Sequence, residues 1–179
     1  GSELSDKTQG DALVPILNAI DYDIYTPGNW EVIYYKKKMQ KLLGGLNAPK
    51  VCANMFHDKG DGTPGESIFQ PYQTFTKLGV KIGFLGYTDH LVPRRQPPAL
   101  SKGIVYTEPV ENIEHYVDVL RNQEQCDFVI ILSHLGLSQQ IGLANNPKCE
   151  GIDYIFGGDT HERIRKPIQC KYAKVVEPG

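Results

Sequence analysis

The sequence predicts an α/β fold. Short apolar runs alternate with amphipathic stretches along the chain, as they do where helices connect the strands of a sheet. The run 128–132 is apolar at all five positions, which is typical of a strand buried on both faces of a parallel sheet. A chain of 179 residues corresponds to about one domain.

Three segments have helical periodicity and are predicted to be helices. In residues 11–20 the apolar side chains recur at helical spacing, and Pro15 lies early enough to be tolerated in the first turn. Residues 31–43 form a second candidate, which ends at two consecutive glycines. Residues 108–123 form the third, with four aliphatic side chains on one face.

The remaining apolar runs predict strands. We expect strands at 23–26, 51–55, 128–132 and 154–156, and a hairpin of 72–77 with 80–85. Residues 57–66 are rich in glycine and aspartate and predict a loop. Residues 89–101 contain three prolines and predict an irregular segment.

Composition excludes several classes of protein. Hydrophobic residues make up 40% and charged residues 22%, which is ordinary for a globular chain and not for a disordered one. The net charge of −2 predicts no nucleic-acid partner, and no apolar run reaches the ~18 residues of a membrane span. The four cysteines fit no zinc-finger spacing, so free thiols and a disulfide between Cys149 and Cys170 both stay open.

Potential metal ligands follow three of the predicted strands. Asn29 follows the first, His134 follows the apolar run, and Asp159 and His161 follow the last. The carboxyl ends of strands in an α/β sheet are where sites form, so these side chains could converge. Taken singly, each has an ordinary alternative: a hydrogen-bonded histidine, a turn or a capped loop. Together, imidazole, carboxylate and amide donors predict a site for a divalent metal ion.

The order of these motifs resembles a known family. The sequence reads Gly28-Asn29-Trp30-Glu31, then Ser133-His134, then Gly158-Asp159-Thr160-His161-Glu162. This resembles the catalytic domain of the 5′-nucleotidases, in the calcineurin-like metallophosphoesterase superfamily, from about residue 10 to the end. The resemblance implies part of a four-layer α/β/β/α sandwich. It also implies two divalent metal ions in the complete protein, with Mn or Zn expected.

The resemblance also implies roles for individual residues. Asn29 and His134 would bind one metal ion, and Asp159 would bind the same ion at a position where the family has histidine. His161 would bind the other ion. Asn29, Trp30 and His134 are the expected catalytic residues, with Trp30 as a pocket wall where the family has a histidine.

Two family motifs have no counterpart in the sequence. An upstream Asp-x-His and a Gly-Asp supply the remaining ligands in the family, and neither is present here. We therefore expect residues 1–179 to be the central and C-terminal part of a catalytic domain. On that expectation the N-terminal metal motifs and any C-terminal substrate domain lie outside the chain, which alone would be inactive.

Three functions follow from the resemblance. The first is hydrolysis of phosphate esters at a two-metal centre, in a periplasmic or extracellular protein. The second is a thiosulfohydrolase acting on a sulfur–sulfur linkage, because SoxB-like relatives also read Gly-Asn-Trp-Glu. The third is a non-catalytic metal-binding relative. The expected partner is a small anionic substrate, such as a nucleotide, a phosphate ester or a sulfur oxyanion. Arg94 and Arg95 are either solvated charges or contacts to that anion.

Overall fold

The computed structural model describes residues 2–179. The helices of this part are α1 Glu3–Lys7, α2 Leu13–Ile20, α3 Tyr35–Gly44, α4 Val92–Arg95, α5 Ile113–Asp118 and α6 Leu137–Ala144. Its strands are β1 Met55–Asp58, β2 Pro64–Ser67, β3 Tyr72–Lys77, β4 Val80–Thr88, β5 Ile104–Tyr106, β6 Phe128–His134, β7 Tyr154–Gly157, β8 Ile168–Gln169 and β9 Lys174–Val176.

The described strands form two sheets. The larger has the order β3-β4-β6-β7-β9-β8. Its four inner strands are parallel to one another, whereas β3 and β8 pair antiparallel at the edges. The smaller sheet, β2-β1-β5, is antiparallel. The prediction of an α/β fold is confirmed.

Each sheet has its own hydrophobic core. The larger core lies between β4, β6, β7 and β9 and the helices α5 and α6, and it includes Tyr87, Ile131 and Ile155. The smaller core joins α3 to β1 and β5 through Met39, Met55 and other side chains. Burial of these apolar side chains is the main favourable contribution to folding in both cores.

Several predicted strands and loops differ from the structure. The expected strand 23–26 is one isolated bridge, Tyr25 with Lys50, because the segment next enters Pro27 and the turn that follows. Val51 forms only an isolated bridge with Gln70, residues 53–54 lie in a turn, and β1 begins only at Met55. The expected loop 57–66 contains the end of β1 and most of β2, which pair across a tight Gly/Asp turn.

The helices also differ in their limits. The helix expected from residue 31 begins at Tyr35, because residues 31–34 are held in turns. The helix expected over 108–123 divides into a 3₁₀ turn, α5 and a π turn. The segment 89–101 is more regular than its prolines suggested: it contains α4 and the 3₁₀ turn Pro98–Ser101, with proline in their first turns. The short elements α6, β5, β8 and β9 were not predicted.

All four thiols are free, and three of them are buried. No disulfide therefore joins Cys149 to Cys170 in the structure, and the free-thiol alternative is correct. Burial raises the pKa of the Cys52 and Cys149 thiols to about 12, so both stay protonated at neutral pH.

Helix α2 has an apolar sequence but no buried residue. Leu13, Ile16 and Ile20 are exposed, and a cavity of about 570 Å³ lies between α2 and the side chains of α3. Within residues 2–179, every helix is too short or too polar to cross a membrane.

Gly86 provides a test of the packing of β4 against residues 51–53, which precede β1. Ala53 N donates to Gly86 O at 2.8 Å, and a Cβ on Gly86 would lie 2.2 Å from Val51 O. We predict that Gly86→Ala lowers the free energy of unfolding by about 2 kcal/mol or more, because backbone must move. Gly142→Ala is the control: Gly142 is an exposed position of α6 with open space around it, and alanine there should stabilise by about 0.5–1 kcal/mol. Urea unfolding measures both, and equal stability of the two variants would contradict this packing.

Candidate metal centre

The candidate site forms where β4, β6 and β7 end. Thr88 of β4 pairs with His134 of β6, and Ser133 of β6 pairs with Gly157 of β7. The three parallel strands therefore end at nearly the same level, and the residues that follow them lie at one edge of the sheet. Asp159 reaches this edge two residues after β7 ends.

Asn29 reaches the same edge from a turn. The backbone N–H of Gly28 donates to Glu31 Oε2 at 2.8 Å, and the Tyr25 hydroxyl donates to Glu31 Oε1. Burial, together with the Glu31 charge beside it, raises the pKa of Tyr25 far above its usual value, so this hydroxyl keeps its proton. Gln96 Nε2 donates to Asn29 O at 3.0 Å. These bonds hold the turn on both sides of Asn29.

Gly28 makes room for the His134 ring. A Cβ at position 28 would lie 2.6–2.8 Å from three ring atoms of His134, closer than any side chain allows. Glycine is therefore required for the turn to approach the ring, and that approach brings Asn29 to His134.

Three potential metal-ligand atoms lie close together at this edge of the sheet. Asn29 Oδ1 and Asp159 Oδ1 each lie 3.1 Å from His134 Nε2. Two oxygen acceptors directed at one ring nitrogen need a proton or a cation among them. Two ligand atoms at right angles on one metal ion, each about 2.1 Å from it, lie about 3 Å apart. The spacing therefore fits three ligands of one divalent ion.

The chemistry of the donors fits as well. Imidazole, amide oxygen and carboxylate oxygen suit Mn and Zn among common divalent ions. The side chains of His134 and Asp159 are 22% and 13% exposed, so a bound ion would be partly shielded from water. Across residues 2–179, His, Cys, Asp and Glu side chains nowhere form a metal-binding group of three, so this set depends on the Asn29 amide.

The other two predicted site residues lie apart from this group. Trp30 is 65% exposed and borders the cavity beside α2. His161 is exposed, with a left-handed backbone at φ 60°, and among the described residues no hydrogen bond or ion pair joins its side chain to the other three. The roles of Trp30 as a pocket wall and of His161 at a second ion stay predictions.

The structure adds residues that the sequence did not assign to the site. Asp89 directly follows β4, and its side chain is 2% exposed. It pairs with Arg95 of α4, which also approaches Asp159. Asp89 was missed because β4 was expected to end at residue 85, three residues too early; a strand continued to Thr88 would have indicated it.

Sequence comparison finds relatives with consistent names. The chain is 27% identical over 173 residues to a 5′-nucleotidase of Vibrio cholerae, covering 91% of this chain and 31% of the relative. It is 28% identical over 152 residues to an NAD 5′-nucleotidase of Haemophilus influenzae, covering 85% and 24%. No family profile matches the chain. The chain spans 24–31% of the length of these curated relatives.

Solved structures share the fold. Sulfate thiohydrolase SoxB of Thermus thermophilus superposes with a TM-score of 0.88 at 23% identity, covering 98% of this chain and 31% of that one. The calcineurin-like phosphoesterase YfkN of Bacillus subtilis gives 0.71 at 25% identity, covering 89% and 54%.

Over most of its length the chain resembles the 5′-nucleotidases in sequence. Its fold is that of the calcineurin-like metallophosphoesterases, so the predicted resemblance and fold class are both confirmed. The proteins it resembles in sequence are named as nucleotidases and nucleotide phosphoesterases, which are hydrolases.

Gly28 provides a direct test of the site geometry. We predict that Gly28→Ala displaces the His134 ring and lowers the free energy of unfolding by about 1–3 kcal/mol, because the added methyl group overlaps the imidazole. The measurement is NMR of the His134 ring nitrogens, combined with urea unfolding. Gly158→Ala is the control, since a Cβ there meets nothing within 4 Å although the residue adjoins Asp159. Unmoved His134 resonances in Gly28→Ala would refute the close approach.

Proposed function

We propose that the complete protein is a metal-dependent hydrolase of phosphate esters, of the 5′-nucleotidase type. The observation that carries this proposal is the convergence of Asn29 Oδ1 and Asp159 Oδ1 on His134 Nε2, each at 3.1 Å. The names of the relatives support the same class of reaction and a nucleotide or another small anionic ester as substrate. The resemblance additionally implies a periplasmic or extracellular location.

Each residue of the group would contribute differently. His134 would present an unprotonated Nε2, Asp159 would supply negative charge, and Asn29 would supply a neutral oxygen. A divalent ion held there lowers the pKa of bound water and offsets the charge of an anionic ester. His161 belongs, on this proposal, to a second ion. The Trp30 indole cannot transfer a proton near neutral pH, so Trp30 would shape the pocket and not protonate the leaving group.

The proposal assigns this chain the later part of a catalytic domain. Three ligands make an incomplete set for Mn or Zn, so the remaining ligands would come from the motifs that the chain lacks. We therefore expect residues 1–179 alone to bind a divalent ion weakly and to hydrolyse nothing above background.

A second function is favoured by Trp30. The Gly-Asn-Trp-Glu motif is the SoxB-like form, and a sulfur leaving group needs little protonation. A thiosulfohydrolase that cleaves a sulfur–sulfur linkage is therefore the alternative. A non-catalytic metal-binding protein is the third, because Trp30 and Asp159 both stand where the family has histidine.

A comparison of kcat/KM for different substrates, measured with the complete polypeptide, distinguishes these functions. With Mn²⁺ present, we predict that kcat/KM for AMP or an aryl phosphate exceeds that for an S-sulfocysteine substrate. His134→Asn should lower it at least about 100-fold, because a metal ligand is lost. His115→Asn is the matched control, since His115 is exposed on α5. The assay is steady-state release of phosphate or sulfate.

Each outcome selects one function. Faster cleavage of the sulfur–sulfur substrate would support the thiosulfohydrolase and contradict the phosphoesterase. Binding of Mn²⁺ without turnover of any substrate would support the non-catalytic relative. Activity that His134→Asn leaves unchanged would contradict the assignment of the site itself.

A further inference from the structure

A buried carboxylate lies beneath the candidate metal centre. Asp89 follows β4 with its side chain 2% exposed, and its Oδ1 accepts the Leu91 backbone N–H at 3.0 Å. Its Oδ2 receives Arg95 Nη1 at 2.8 Å. A buried carboxylate needs such a partner, so Asp89 holds the Arg95 guanidinium in place although the Arg95 side chain is itself 43% exposed.

The same nitrogen of Arg95 also faces Asp159. Arg95 Nη1 lies 3.6 Å from Asp159 Oδ2, whereas Asp159 Oδ1 faces His134 Nε2 at 3.1 Å. The two oxygens of the Asp159 carboxylate therefore have different partners. Oδ2 lies near the partly exposed Arg95 guanidinium that Asp89 holds, and Oδ1 faces His134 Nε2.

We propose that Arg95 is a positioning residue which, anchored by Asp89, turns the Asp159 carboxylate so that only Oδ1 is presented to the metal ion. This inference rests on the metal-binding part of the proposed function and adds a supporting residue to it. Partners that orient metal ligands commonly contribute 10–100-fold to metal affinity. Arg95 Nη1 alone contacts both Asp89 and Asp159. The single ammonium group of a lysine could therefore replace it in part, whereas it could not replace a guanidinium that used two nitrogens.

Electrostatic repulsion between Arg95 and the metal ion, taken alone, predicts the opposite change in metal affinity. Removing the positive charge of Arg95 would strengthen the binding of any cation nearby. A positioning role predicts weaker binding instead, because Asp159 is then free to rotate away from His134. The sign of the change in metal affinity therefore distinguishes a positioning role of Arg95 from a purely electrostatic effect.

Co²⁺ titration of the 179-residue chain tests the proposal. We expect Arg95→Gln to raise the dissociation constant about tenfold and to change the Co²⁺ absorption spectrum, which reports coordination geometry. Arg95→Lys should recover most of the affinity. Arg94→Gln is the matched control, an exposed arginine of the same short helix, and should bind as the wild type does. Binding in Arg95→Gln equal to or tighter than wild type, or no recovery in Arg95→Lys, would overturn the proposal.

A second measurement applies without metal. In the metal-free chain, freeing Asp159 removes an acceptor from His134 Nε2, so we expect the Nε2 chemical shift to move in Arg95→Gln and not in Arg94→Gln. An unmoved shift would overturn the positioning role even if the wild type bound no Co²⁺. Absence of Co²⁺ binding by wild type in the complete polypeptide would instead contradict the proposed function.

Discussion

The candidate centre depends on the register of the parallel strands β4, β6 and β7, which makes them end at nearly the same level. Because Thr88 pairs with His134 and Ser133 pairs with Gly157, the ends of three strands meet at one edge of the sheet. A shift of one residue would turn each side chain to the opposite face and separate His134 from its neighbours. Glycine at position 28 is the second requirement, because a Cβ there would overlap the His134 ring.

Part of this arrangement was predictable from the sequence. The apolar run of β6 and the short run of β7 indicated parallel strands, and the polar residues after them indicated His134 and Asp159. Asn29 was indicated by an expected strand at 23–26 that the structure does not form. What the sequence did not indicate depends on tertiary contacts. Asn29 comes from a turn held by the Glu31 carboxylate and not from a strand end. Arg95 lay in a proline-rich segment that was expected to be irregular, and only the fold shows it beside Asp159.

The two departures from the family pattern have different physical consequences. Asp159 adds a negative charge where the family has a neutral ring, and Arg95 provides a positive charge 3.6 Å away. The pair Arg95–Asp89 is neutral as a whole, so the charge of Asp159 remains available to a cation. Trp30, by contrast, stands where the family has a group that can carry a proton, and the indole cannot carry one. On the proposed function, the first change would alter how a metal ion is held, and the second would alter which leaving groups can depart.

Anomalous diffraction from crystals of the chain grown with saturating Mn²⁺ is the sharpest test of whether Asn29, His134 and Asp159 hold one divalent ion. We expect one strong peak about 2.0–2.3 Å from Asn29 Oδ1, His134 Nε2 and Asp159 Oδ1, with the Arg95–Asp159 contact retained. A peak elsewhere, or no peak at saturating Mn²⁺, would contradict it.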